Sequence, residues 1–346
     1  MKKKGFTLVE LLVVIAIIAM LLAILMPALG KVRQLAQRIM CSTNLAGIGK
    51  AMLTYCNDDK YESFPVSGSS DAIWSRGTSG NEGKCSWDWR DPNPFPTNDR
   101  TPHTATITSC FYLLVKYADV APDQFVCPGS DQKKFELSKY TLSQFSTNDF
   151  TTVWDFGVGT NQISNSRGKG HVSYSYQYPF PVVAGQKGYP TVITTNPAKA
   201  VAADRNPFWQ SPMPTDASSD SPRMYIWDVS VTPNKLYAPS ITFGNATYHQ
   251  KDGQNVLFAD QHAKFEKSAN CGIEMDNIYT IWGQASINPQ TAGDEGKRQC
   301  GKNYTTDTTS PGFLLVTSSF QGDVSYCPLS NDDCYLVSDV DKPRSD

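Results

Sequence analysis

The sequence predicts an α+β protein in which one long N-terminal helix carries a globular head with an antiparallel sheet. Three observations carry that expectation. An apolar run extends from Phe6 to about Leu29, an amphipathic pattern continues it to about Cys56, and short β-type runs between turn residues fill much of the rest.

The apolar run follows the short basic stretch MKKKG, and Glu10 is its only charge. About 20 apolar residues in a helix, at ~1.5 Å each, span the ~30 Å of bilayer hydrocarbon. The lysines mark the flank that stays cytoplasmic. A carboxylate inside such a helix costs roughly 2.5–3.5 kcal/mol on insertion scales, so Glu10 is expected to have a partner or a function. It stands fifth counting from Phe6, just after a Gly-Phe junction. A cut between Gly5 and Phe6 would create an α-amine near the helix start. In a bundle of such helices Glu10 of one copy can pair with the Phe6 amine of the next, neutralising both charges and setting the register.

The residues Gly5-Phe6-Thr7-Leu8-Val9-Glu10, with the basic leader and Pro27, resemble the cleavage and methylation signal of type IV pilins and type II secretion pseudopilins. The resemblance implies a prepilin peptidase that cuts after Gly5 and N-methylates Phe6. It also implies an inner-membrane assembly platform driven by an ATPase, and a pilin-like lollipop fold. Two plainer readings compete. A secretory signal peptide would be cut near Ala28-Leu29-Gly30, but it would not place Glu10 in its apolar core. A simple membrane anchor leaves Gly5 and Glu10 without a role.

Beyond Pro27 the apolar positions Val32, Leu35, Ile39, Cys41, Leu45, Ile48, Met52 and Tyr55 recur at spacings that mark one helix face, expected to pack on the head. Lys31, Arg33, Gln37, Arg38 and Lys50 mark the opposite, polar side. Pro27 and Gly30 are expected to kink or locally melt the junction, and Asn57-Asp58-Asp59 to end the helix. The expected division is a leader at 1–5, a helix at 6–58 and a head at 59–346. Within the helix, 6–29 would be the membrane or filament core and 30–58 the amphipathic part.

In the head, residues 62–105 read as a long loop decorated with Trp74, Trp87 and Trp89, followed by a short helix near Thr108–Asp119. Strand candidates are 172–178, 191–194, 200–204, 255–260, 262–267 and 312–318. Four segments resemble those of a large bacterial subgroup of prepilin-type proteins: CSTNLAGIGKAMLTYCND, FVCPGSD, SYSY and HQKDGQNVLFADQHAKFEK. In the last, Gln261 stands where the subgroup has glycine.

Charge and motifs narrow the chemistry. A formal charge of −2 offers no basic excess for nucleic acid, and without the first five residues 28 basic face 33 acidic residues, or −5. Nine cysteines with no C-x-x-C pair point to an oxidising compartment. Cys327 and Cys334 flank a six-residue loop suited to a disulfide, and Cys271 with Cys300 is a second possibility. Cys41 can tether to Cys127 or Cys110, or remain a buried thiol. His249, Asp252, Asp260 and His262 offer metal-ligand types, although a hairpin corner at Asp260-Gln261 explains them without a metal. Calcium is the one cofactor considered, at the acidic stretches 331–333 and 338–341, which lack the EF-hand pattern. Asn245-Ala-Thr and Asn303-Tyr-Thr fit the glycosylation sequon.

No hydrolase, nucleotide-binding or metalloprotease motif is present, so no enzymatic role is expected. The expectation is a structural subunit, membrane-held as a precursor and then a homopolymer at the cell surface. A secretion pseudopilin in a periplasmic pseudopilus is the rival within the family. A membrane-anchored binding module that never polymerises is the rival outside it.

Overall fold

The structure is a computed structural model, and it describes residues 8–67, 73–74, 104–136, 155–156, 171–180, 188–207, 245–273, 278–279, 332 and 334–337. The first helix, α1 (Leu8–Asp58), is 51 residues long, about 75 Å at ~1.5 Å per residue. It runs without interruption through Pro27 and Gly30, so the expected melting does not occur there. Pro27 removes the bond to the Ala23 carbonyl and crowds it, yet the segment stays helical on both sides. At the other end Asp59 stops the helix, its side chain capturing the Tyr61 amide, the Ser63 amide and the Ser63 hydroxyl.

A two-residue parallel pair joins β1 (Ile73–Trp74) to β2 (Thr104–Ala105). Next comes α2 (Ile107–Tyr117), close to its expected span. Thr106 and Ser109 form a reciprocal cap at its start. At its end Asp119 takes a left-handed φ of 52°, a conformation Asp tolerates better than most residues. Residues 107–115 are all buried, which makes α2 a core helix.

The remaining strands, β3 (Tyr174–Gln177), β4 (Ala200–Asp204), β5 (Gln254–Phe258), β6 (Ala263–Glu266) and β7 (Leu336–Val337), form one antiparallel sheet in the order β6-β5-β4-β3-β7. The chain is therefore α+β, as expected. The sheet is covered on both faces. Tyr174, Tyr176, Leu257 and Val337 join a core with α1 and α2, while Val256, Phe258 and Leu336 face a second core with Ile273, Ile278 and Tyr279. In β4, Val201 and Ala202 both turn toward the first core, and the ladder shifts register between Ala200 and Ala202. Two successive residues on one face are what a bulge produces.

The β5–β6 hairpin turns at Asp260-Gln261, the expected corner. Gln261 adopts a φ of 74°, the left-handed geometry that glycine occupies at lowest cost, and its amide side chain bonds the Ala259 carbonyl at 3.0 Å. The candidate strand 191–194 is not a strand. It makes one isolated bridge, Ser63 to Val192, because the Thr195 hydroxyl caps the Val192 amide and turns the chain at once. β7 was not anticipated, since two residues carry no periodicity. The candidate at 312–318, Trp87 and Trp89 lie outside the described residues.

Candidate functional site

Two parts of α1 carry functional information. In the first, the large apolar side chains from Leu8 to Leu29 are 47–78% exposed, on every side of the helix. Water does not tolerate so much contiguous apolar surface, which marks a membrane or assembly element. Glu10 lies in the first turn of this segment, whereas Gly5 and Phe6 lie outside the described residues. Exposure continues through Val32, Leu35, Ile39 and Met40, at 53–61%. The expected head-packing stripe therefore begins only at Cys41, and continues through Leu45, Ile48, Met52 and Cys56. Among the described residues, no part of the head buries the apolar residues before it.

The second part is the junction where α1 meets the head. Gln37, Cys41 and Asn44, spaced four and three apart, lie on one side of the helix and grip the loop after α2. The Gln37 amide donates to the Pro128 carbonyl at 3.2 Å, and Asn44 donates to Val126 O at 3.3 Å and to the Tyr174 hydroxyl at 3.4 Å. Burial, and then the Asp204 charge, hold the Tyr174 phenol well above its ordinary pKa. Between Gln37 and Asn44, Cys41 forms a disulfide with Cys127 across a sequence separation of 86, with Cα atoms 5.3 Å apart. That separation is within the normal range for the bond. Cys110 is not the partner; it is buried on α2, and its sulfur accepts from the Ser67 amide.

Arg38 was expected on the polar, solvent side. Instead it ion-pairs with Asp252, donates to the His249 carbonyl at 3.4 Å and places its guanidinium 4.8 Å from the Phe265 ring centre. The four segments that resemble the prepilin-type subgroup thus converge here. Cys41 and Asn44 of the first meet Cys127 and Val126 of the second and Tyr174 of the third. His249 of the fourth lies 3.9 Å from the Cys127 sulfur.

His249, Asp252, Asp260 and His262 do not come together in the fold. Asp252 is engaged with Arg38, and Asp260 pairs with His262 at the exposed hairpin corner, where His262 stacks on Phe258. Only His249 is buried, and its carboxylate partner is Asp204 at the end of β4, with Nε2 to Oδ2 at 3.2 Å. Asn255 fixes that carboxylate with its backbone amide at 2.6 Å and its side-chain amide at 3.1 Å. The sequence reading missed Asp204. The available signal was a lone acid closing an otherwise apolar strand, AVAAD. Asn245 is fully buried and donates to the Lys251 and Lys267 carbonyls, so its sequon cannot carry a glycan in this fold. Cys334 is buried and Cys271 is partly exposed; the partners suggested for them, Cys327 and Cys300, lie outside the described residues. So do Asn303 and the acidic stretches apart from Asp332.

A long apolar helix leads into a head with a five-stranded antiparallel sheet, an arrangement consistent with an α+β pilin-like fold. The prokaryotic N-terminal methylation motif matches residues 1–26, and together with the long apolar helix it supports a type IV pilin-like protein. No curated protein and no solved structure matches the chain. The motif marks structural proteins rather than enzymes and implies processing by a prepilin peptidase. With the apolar helix, it also suggests membrane insertion.

Proposed function

We propose that the chain is the structural subunit of a type IV pilus-like filament. Cleavage between Gly5 and Phe6 removes the leader, Phe6 is N-methylated, and residues 6–29 pack among copies of themselves while the head at 59–346 faces outward. The observation that carries this reading is the Leu8–Leu29 surface, apolar on every side and interrupted only by Glu10. In the assembled bundle the Phe6 α-amine of a neighbour compensates Glu10. Removing one partner of a buried ion pair costs about 3–5 kcal/mol, whereas losing the acid makes membrane insertion easier.

Glu10→Ala should therefore give a normally cleaved, membrane-held subunit that yields few or no sheared filaments at wild-type protein level. Normal filament yield from the mutant would remove Glu10 from the assembly mechanism. Mass spectrometry of the mature protein should find Phe6 first, with an added methyl; a start at Lys31 would establish a signal peptide instead.

A further inference from the structure

We propose that Cys41, Cys127, Asp204 and His249 form a zinc site in the reduced protein, occupying the same place as the disulfide and excluding it. One ligand atom from each of these four buried residues lies within 4.8 Å of every other. They come from α1, the loop after α2, the end of β4 and the turn before β5, so the fold gathers them from distant parts of the sequence. Two sulfurs, an imidazole and a carboxylate are the donor types of tetrahedral zinc. Calcium and magnesium prefer oxygen alone.

Two local observations indicate that a cation suits this point. The first is His249 Nε2, which has the Asp204 Oδ2 acceptor at 3.2 Å, the Asn255 amide donor at 3.2 Å and the Cys127 sulfur at 3.9 Å. A ring nitrogen carries either a proton or a lone pair, so it cannot satisfy a donor and an acceptor together. A cation on the lone pair turns the carboxylate and the sulfurs from competitors into fellow ligands, and leaves Asn255 to hold Asp204. The second is Asp204 Oδ1, which is buried without a hydrogen-bond partner among the described residues.

The outer contacts suit the same ion. Asn255 orients the carboxylate through two bonds, and the Gly129 amide donates to Cys127 Sγ at 3.4 Å, a contact that favours a thiolate. A side chain at Gly129 would bring its Cβ within 3.2 Å of the Tyr248 carbonyl, so glycine keeps this approach open.

Electrons and protons balance. A dithiol reductant transfers two electrons and two protons to the Cys41–Cys127 bond, giving two thiols and its own disulfide. Binding Zn2+ to both thiolates then releases the two thiol protons. Either state ties α1 to the head.

The test uses the full chain in detergent micelles, reduced with a phosphine and desalted without oxygen. Titrated with Co2+ alone, it should bind one ion, show sulfur-to-cobalt charge transfer and tetrahedral visible bands, and lose both when Zn2+ is added. The oxidised chain should show neither. Zn2+ should also shield Cys41 and Cys127 of the reduced wild type from alkylation, a readout that needs no mutant. Cys41→Ser should weaken Co2+ binding at least about 100-fold, beyond the usual cost of losing an outer contact. The proposal fails if the reduced chain keeps its circular dichroism yet develops no thiolate–cobalt band. It also fails if Zn2+ leaves both cysteines open to alkylation, or if Cys41→Ser binds Co2+ as the wild type does.

Discussion

From Leu8 to Met40, α1 exposes apolar side chains around its circumference; from Cys41 to Cys56 it buries one stripe and leaves Lys50 and Thr54 in water. Both stretches are helical and rich in leucine, isoleucine and alanine, yet among the described residues only the second buries its apolar side chains against the head. Small residues explain part of the difference. At Gly49 an added Cβ would lie 2.7 Å from both Leu257 and Gln261, so the hairpin seats directly on the helix backbone. At Gly30 an added Cβ would meet nothing within 4 Å. Hydrophobicity thus says that a surface will be covered, and the distribution of small residues says how closely the cover sits.

The sharpest way to break this contrast is to truncate one leucine on each side of it. Leu45 is fully buried, so Leu45→Ala should destabilise the head by about 2–5 kcal/mol. Leu25→Ala, from a position 59% exposed, should leave the head's thermal unfolding in micelles unchanged. Equal losses would mean that the two stretches are not separate in function.

A somewhat smaller effect should follow from cutting the cross-link. Reduction in the presence of a chelator should lower head stability by about 2–4 kcal/mol in a urea titration, while the helix signal of residues 8–40 stays. An unchanged urea midpoint would show that Cys41–Cys127 is not a constraint on the fold.

Glycine replacements refine the comparison further. Both Gly30→Ala and Gly49→Ala gain about 1 kcal/mol of helix propensity, but Gly49→Ala also overpacks the hairpin contact by roughly 1–3 kcal/mol. Paired melting curves should therefore shift in opposite directions, Gly49→Ala downward and Gly30→Ala upward or not at all.

Alkali should separate the halves most gently. Burial raises the phenol pKa of Tyr176 and Tyr279 well above the ordinary 10, and residues 8–40 contain no tyrosine. The folded head therefore keeps phenol protons that the unfolded chain releases. Stability is full below about pH 10 and falls above it, by about 1.4 kcal/mol per buried phenol at one pH unit higher. Head tertiary signals should fade before the helical signal does; simultaneous loss would contradict the division.

Much of the fold was legible because its signals are local. The span of α1, α2, the strands at β4, β5 and β6 and the hairpin corner all follow from periodicity and turn residues. Where the helix begins to touch the head was not legible. Val32, Leu35 and Ile39 have the right spacing, but periodicity identifies a face and not what covers it. The junction escaped for a related reason. His249, Asp252, Asp260 and His262 are neighbours in sequence and separate in space, while Cys41, Cys127, Asp204 and His249 are the reverse. The head-facing position of Cys41 offered Cys127 or Cys110 as partner, and only the chain closure that brings residues 41 and 127 together chooses Cys127, which no spacing rule reports.

The position of the Cys41–Cys127 bond has a mechanical consequence. Among the described residues, Gln37, Arg38 and Cys41 are where the head first grips α1, coming from its apolar end. A pull on the apolar segment would load these contacts before any others and would tend to peel the helix from the head one turn at a time. The hydrogen bonds of Gln37 and Arg38 yield singly under such a force, but the next attachment along the helix is covalent. The peeling front therefore stops within about a turn of its start, and the remaining helix–sheet contacts must be sheared together rather than opened in sequence.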